Sequence, residues 1–284
     1  ITVGHNLISR KIKALLRKGN CEHWHVDISG EGLDTVKKLS KVIPLTPTEF
    51  FENMNGAKAS AESDYRETVL RWNSTTAKAA RKFMTDASWS DLEAFNLIQP
   101  ALPSGSDVQM GNSSAVRYLL LHDARPDLRY FGNRGVAGID GCTSTSIGAA
   151  HVSGKLTTLI SGDIAFFYDS NAFWNNLDKR NLRIIILNNG GGGIFRIIEG
   201  PLTAGEAFEP HFDATHRRTA ETAAAMYDVR YKQAKDLSEL NVGLQWLFEQ
   251  EACAWLEVIT PRMQNDIALK DYFSFIHKVF SKHG

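Results

Sequence analysis

From Ser88 to the C-terminus, strand-like apolar runs alternate with segments whose apolar residues recur at helical spacing, and no other feature constrains the fold as much. The order is "SDLEAFNLIQPAL" helix, "DVQMGNS" strand, "SAVRYLLLHD" helix, "RYFGN" strand, "STSIGAAHVS" helix and "LTTLIS" strand. It continues through "SNAFWNNL" helix, "LRIIILN" strand, "TAETAAAMY" helix, "VRYKQA" strand, "LSELNVGLQWLFEQ" helix, "AWLEVIT" strand and "DIALKDYFSFIHKVF" helix. Such a series predicts right-handed β-α-β crossovers and an α/β fold whose parallel sheet carries helices on both faces. Ligands of such sheets sit beyond the carboxyl ends of the strands.

The N-terminal text repeats the theme on a smaller scale. "ITVGHNLISRKIKALLRK" reads as strand, glycine turn and amphipathic helix, and "HWHVDI" and "LSKVIPL" as two further strands. Between Thr46 and Met84 the text becomes polar and rich in Ala and Asn, which suggests a connecting segment with helical parts. A boundary near residue 55 divides the chain into 1–55, a piece of one α/β domain, and 56–284, a second α/β domain. The chain begins at Ile1 rather than Met, and "ITVG" reads as the end of a strand already under way, so a fragment of a longer protein is expected.

With 284 residues, 43% of them hydrophobic, the chain can bury a real core. Lys plus Arg and Asp plus Glu balance at 32 each, which gives no broad electrostatic case for a nucleic acid or an anionic membrane as partner, so any anion site is local. Cys21, Cys142 and Cys253 lie far apart without a C-x-x-C, against a disulfide framework or zinc cluster and in keeping with a reducing cytoplasm. No run approaches the roughly 18 apolar residues of a membrane helix, and no signal peptide opens the chain.

The turns after two strands carry the chemistry. Asp163 follows "LTTLIS" and Asn189 follows "LRIIILN", so a parallel β-α-β unit brings both to one sheet edge. A carboxylate and an amide oxygen suit a hard cation such as Mg²⁺, which keeps positions for phosphate oxygens and water. Gly190 to Gly193 let the backbone approach a ligand closely, so that a carbonyl such as that of Gly191 could join the set. Either piece alone reads first as turn punctuation; their paired placement favours a clamp for a metal-bound diphosphate.

"GDIAFFYD" followed by "NNGGGGIF" resembles the signature of thiamine diphosphate enzymes, with a gap at its short end. Within them, "YFGNRGVAGIDGCTSTSIGAA" and "GNSSAVR" resemble the 2-succinyl-5-enolpyruvyl-6-hydroxy-3-cyclohexene-1-carboxylate synthases of menaquinone biosynthesis, over essentially the whole chain. The resemblance implies a C-terminal portion: the tail of the family's central domain in 1–55 and its thiamine diphosphate-binding domain in 56–284. It implies thiamine diphosphate and Mg²⁺ or Mn²⁺ as cofactors, with Asp163, Asn189 and the Gly191 carbonyl as metal ligands and Gly162 and Ile164 beside the cofactor. Ile139 falls where the family places an apolar wedge that bends the cofactor, though a lone Ile reads equally as core.

By the same resemblance Ser113, Arg117, Arg134, Ile194 and Phe195 line the substrate pocket. The implied substrates, 2-oxoglutarate and isochorismate, each carry two carboxylates, which suit paired bonds from arginine. On Arg117 the surface reading is as good, and Ile194 and Phe195 read equally as the start of a packed helix. The implied reaction decarboxylates 2-oxoglutarate and adds the resulting carbanion to isochorismate. The acid that activates the cofactor's aminopyrimidine is implied to be a glutamate of an upstream pyrimidine-binding domain from a neighbouring subunit of a homo-oligomer. The role is therefore not given to Glu199, Glu206 or Glu209, and this chain alone is expected to be inactive.

His23 and His25 share a strand face and could form a metal pair, but no third ligand is evident. "HFDATHRR", with His211, Asp213 and His216, lies in a segment from Gly200 to Arg218 that reads better as a lid or ordering loop. "DYFSFIHKVF" reads as a core-packed helix rather than a membrane-surface one. Another thiamine enzyme, such as an acetolactate synthase or a decarboxylase, is disfavoured by the Arg-Gly-x-x-Gly-Ile-Asp-Gly element. A non-catalytic α/β binding module is disfavoured by the intact Asp163, Asn189 and glycine run.

Overall fold

Two parallel sheets, one in each of the units Ile1–Thr68 and Val69–Gly284, carry the strands. The computed structural model describes every residue except 5, 6, 8, 57–62, 199 and 284; Glu199 and the middle of the connecting segment therefore lie outside the described residues.

The first unit holds β1 (Thr2–Val3), α1 (Arg10–Lys18), β2 (His23–Val26) and β3 (Leu39–Ile43), with strand order β1-β2-β3. Ser9 caps α1 by accepting from the Ile12 amide at 3.2 Å. α2 (Pro47–Met54) opens on a capping box: the Thr46 hydroxyl accepts from the Glu49 amide and the Glu49 carboxylate from the Thr46 amide, with Pro47 in the first turn. His23 and His25 are both buried, and they share one hydroxyl, Thr2 Oγ1, at 2.7 and 2.9 Å. Among the described residues no group of three His, Cys, Asp or Glu side chains could hold a metal.

α3 (Tyr65–Met84) contains the boundary between the units. The second unit continues with α4 (Asp91–Ala101), β4 (Asp107–Met110), α5 (Ser114–Leu119), β5 (Arg129–Gly132), α6 (Cys142–Ser153), β6 (Thr157–Gly162), α7 (Asp163–Tyr168) and β7 (Leu182–Asn188). It ends with α8 (Ile194–Ile197), α9 (Glu221–Met226), β8 (Arg230–Ala234), α10 (Leu237–Glu249), β9 (Ala254–Ile259) and α11 (Asn265–His283). The strands form one all-parallel sheet in the order β5-β4-β6-β7-β9-β8. From β4 the chain goes outward to β5 and then returns to lay β6 on the other side of β4. The strand order therefore reverses at β4 and β6, where open α/β sheets form their ligand crevice.

β7 shows why the sheet is covered twice. All seven of its residues are buried; Ile185 and Leu187 join a core with α4, α10 and α11, while Ile184 and Ile186 join a second core with α6, α7 and Trp255. An unbroken apolar run is the sequence a strand needs when both its faces meet helices. α11 contributes Leu269 and Tyr272 to the first core. No described helix is long and apolar enough to cross a membrane.

One element differs from the sequence reading. The helix after β6 begins at once with "DIAFFY", and "SNAFW" forms only a short 3-10 turn, Ser170–Trp174. Ala165 and Phe166 are fully packed, and Phe166 meets Trp255 edge-on at 4.8 Å, so tertiary packing holds a helix that a six-residue segment would not sustain alone. Asp163 is thus the first residue of a helix rather than part of a loop.

Ile185 is fully buried. Ile185→Ala is expected to cost about 2–5 kcal/mol, read as a lowered urea midpoint with an unchanged slope.

Candidate functional site

β6 and β7 pair in parallel register with Gly162 opposite Leu187, so the residues that follow them, Asp163 and Asn189, emerge side by side. The buried Asp163 carboxylate joins the two turns: Oδ2 accepts from the amides of Gly190 at 2.9 Å and Gly191 at 3.1 Å, and Oδ1 accepts from the Ile164 amide at 2.7 Å. Its place in the first turn of α7 adds the favourable end of the helix dipole.

Asn189 is fixed from the other side. Its Nδ2 donates at 2.9 Å to Oδ2 of Asp91, whose own Oδ1 accepts from the Thr260 hydroxyl at 2.5 Å. Asn189 Oδ1 is buried and has no hydrogen-bond partner among the described residues. A buried amide oxygen without a partner costs free energy comparable to a lost hydrogen bond, so its presence points to a ligand. The neighbouring Asn188 is used within the protein: Nδ2 donates to the Arg218 carbonyl and Glu257 Oε1, and Oδ1 accepts from the Gly190 amide.

The electrostatics are one-sided. Among the described residues no Lys or Arg salt bridge reaches Asp91 or Asp163; the basic group beside Asp163 is His216, with Nε2 3.1 Å from Oδ2 but off the axis of a hydrogen bond. Burial pushes the Asp91 carboxyl up to about 6 and the charge of Asp163 adds to the rise, while hydrogen bonds from Thr260, Asn189 and Asn265 oppose it. Two buried carboxylates without guanidinium partners make a pocket that favours a cation.

A cavity of about 330 Å³ opens at this edge. Ser113, Ile139, Gly162, Asp163, Ile164, Asn189, Gly191, Ile194 and Phe195 all line it, together with Asp91 and Asn112. Arg117 and Arg134 do not. Arg134 stands one contact away: its Nη1 donates to Asn112 Oδ1 at 2.6 Å, and the same side chain's Nδ2 donates to the carbonyls of Asn133 and Gly138, which fixes the loop that carries Ile139. Arg117 lies half-buried on α5. Ser113 and Ala137, also at the cavity wall, hold φ of 74° and 64°, strain of about 1–3 kcal/mol each that clusters at functional sites.

The glycine run answers a demand from the protein itself. Gly190 has φ 75°, and a Cβ on Gly191 would lie 2.7 Å from the Asp213 carbonyl oxygen. The segment 212–216 lies directly on the run, with the Gly192 amide donating to Asp213 O and the His216 amide to Gly190 O. That segment is anchored by Asp213, fully buried, whose Oδ2 accepts from Arg196 at 2.6 Å and Arg262 at 2.9 Å. Of the residues singled out in "HFDATHRR", Asp213 is this anchor and His216 meets the site carboxylate.

Asp163, Asn189 and the Gly191 carbonyl together could supply an oxygen-only donor set, which fits Mg²⁺ or Mn²⁺. The sequence reading missed Asp91 and Asn112. Asp91 carries only the signal of a helix start after the Ser90 cap, and Asn112 stands inside the quoted "GNSSAVR" without a role of its own.

Asp91 sets a pH dependence. Its folded-state pKa, about 6, lies above the ordinary 3.8, so between those values the folded chain holds a proton that the unfolded chain has lost. Its contribution to stability therefore declines as pH rises from about 4 to about 6 and is least favourable above that. Asp91→Asn should remove this slope and leave the chain at least as stable as the parent at pH 7, measured by urea unfolding at several pH values.

No family profile matches the chain. It is 42% identical over 275 residues to a 2-succinyl-5-enolpyruvyl-6-hydroxy-3-cyclohexene-1-carboxylate synthase of Flavobacterium johnsoniae, covering 96% of this chain and 49% of that protein. Proteins of the same name from Flavobacterium psychrophilum and Porphyromonas gingivalis are 42% and 37% identical, with 96% and 97% of this chain covered and 50% of each relative. The chain spans about half the length of the curated relatives it matches. With near-complete coverage of its own sequence, it belongs to the 2-succinyl-5-enolpyruvyl-6-hydroxy-3-cyclohexene-1-carboxylate synthase family.

Proposed function

We propose that this chain is the C-terminal, diphosphate- and cation-binding part of a thiamine diphosphate-dependent carboligase, a transferase that joins the skeleton of 2-oxoglutarate, less CO₂, to isochorismate in menaquinone biosynthesis. The observation that carries the reading is the buried, partnerless Asn189 Oδ1 beside the Asp163 carboxylate, at a cavity on the sheet's carboxyl edge. When bound, the cofactor supplies the carbanion chemistry. The protein's share is to bind and orient.

In this reading Asp163, Asn189 and the Gly191 carbonyl hold Mg²⁺ or Mn²⁺, and the cation holds the diphosphate. Gly162 and Ile164 flank the cofactor, Ile139 supplies an apolar wall against it, and Ile194 and Phe195 exclude water from the reacting end. Ser113, Arg117 and Arg134 receive substrate carboxylates, with Arg134 aimed by its bond to Asn112. The acid that activates the aminopyrimidine is proposed to lie in the part of the relatives' length that this chain does not span, on a neighbouring subunit of a homo-oligomer. The chain alone is then expected to bind cofactor without turnover.

Calorimetric titration with thiamine diphosphate, with and without Mg²⁺, beside Asp163→Ala tests the clamp. Binding should require the cation and weaken in the variant by at least about 10- to 100-fold, the range seen even for residues that only support a metal ligand. At 100 times Kd, ligand and cation together should stabilise the parent by about 2.7 kcal/mol. Cation-independent binding, or an unaffected variant, would sink the reading; if the chain binds nothing, the same titration on a protein of the relatives' full length decides.

A further inference from the structure

We propose that Asp91, the first residue of α4, is a positioning residue that decides which end of the Asn189 amide faces the cation. The inference rests on the reading of Asp163 and Asn189 as a cation site and adds a residue that the site's sequence signature does not contain.

An amide is planar, with a donor at one end and an acceptor at the other. An ionised carboxylate only accepts, so the end of Asn189 that meets Asp91 Oδ2 at 2.9 Å is its Nδ2, and the oxygen is thereby turned the other way. The opposite orientation would set the amide oxygen against a carboxylate oxygen, two acceptors without a proton between them. Among the described residues Asn189 Oδ1 meets no donor that would otherwise select its orientation. The choice falls to Asp91.

Asp91 is itself held at its backbone and at its side chain, as a positioning group must be. Its amide donates to Asn265 Oδ1 at 2.8 Å, its Oδ1 accepts from Thr260 at 2.5 Å, and Asn265 Nδ2 reaches the same Thr260 hydroxyl at 3.4 Å. Two residues earlier, the Trp89 indole donates to the Ile259 carbonyl at 3.0 Å and ties the start of α4 to the end of β9. The amide of Asn189 is thus aimed from the end of the neighbouring strand, through residues distant in sequence.

A positioning role for Asp91 has a consequence that a merely structural role lacks. In Asp91→Asn, the new side-chain oxygen can keep the Thr260 bond, and its Nδ2 then points at Asn189 and invites the flipped amide, oxygen inward. The variant should fold with all its hydrogen bonds made and lose cation affinity. Exchanging the pair, Asp91→Asn with Asn189→Asp, reverses the parent's bond, with a donor at 91 facing an acceptor at 189, and leaves one carboxylate oxygen free for the cation, at unchanged net charge.

The experiment is Mn²⁺ binding followed by electron paramagnetic resonance in the presence of thiamine diphosphate at pH 7.5, on the parent, Asp91→Asn, Asn189→Asp and the exchanged pair, with thermal unfolding as the control for folding. The expected result is about 10- to 100-fold weaker binding in folded Asp91→Asn and recovery to within a few-fold of the parent in the exchanged pair. A parent that binds while Asp91→Asn binds equally well, or an exchanged pair that folds but stays as weak as Asp91→Asn, overturns the role of Asp91 and leaves the cation site standing. A parent that binds no Mn²⁺, both as this chain and at the relatives' full length, overturns the cation reading and the role of Asp91 with it.

Discussion

The carboxylate of Asp163 is the joint of the site. Its two oxygens accept the amides of Ile164, Gly190 and Gly191, so it binds the first turn of its own helix to the turn that leaves the next strand. Parallel pairing of β6 with β7 brings these turns to one edge, but pairing fixes strands rather than the loops beyond them. The carboxylate converts adjacency into a defined geometry. It also leaves the site anionic, since neither Asp163 nor Asp91 has a guanidinium partner among the described residues, in contrast to Asp213 a few ångströms along the glycine run, which has two.

That contrast separates two jobs for buried acids. Asp213 is neutralised within the protein, by Arg196 and Arg262, and the result is mechanical: it pins the backbone of 212–216 onto Gly190–Gly192. The approach is so close that a Cβ on Gly191 or Gly192 would lie under 3.0 Å from a carbonyl oxygen of that segment. The run of glycines and the buried Asp213 are therefore one device, and its product is a fixed position for the main chain at Gly191. Asp163, whose carboxylate holds the same run from the start of α7, is left without such neutralisation among the described residues.

The strand and helix alternation was legible because both faces of the sheet are buried, which writes β7 as "LRIIILN" and leaves turns wherever polar or glycine residues interrupt. From that alone the convergence of Asp163 and Asn189 followed. The helix at Asp163–Tyr168 was not legible, since "DIAFFY" has no helical period over six residues and owes its form to packing against Trp255. The glycine run reads as room for a ligand, while the structure fills that room with the protein's own segment at 212–216. Asp91 and Asn112 were invisible for a common reason. Each acts on a site residue brought near only by folding, Asp91 on Asn189 and Asn112 on Arg134, and neither stands in a spacing that a sequence can display.

The charge already buried at this edge explains why an amide, rather than a third carboxylate, suits position 189. Asp91 and Asp163 already feel one another enough to raise the Asp91 pKa. A third negative group between them would either repel both or take up a proton, and a protonated carboxyl is a poor ligand. Asparagine offers an oxygen of nearly the same reach with no charge, and its nitrogen gives Asp91 a donor that an aspartate could not. The buried acid and the amide are thus complementary choices. An acceptor at 91 calls for a donor end at 189, and the planarity of the amide then delivers an oxygen to the open side, with its orientation fixed before any cation arrives.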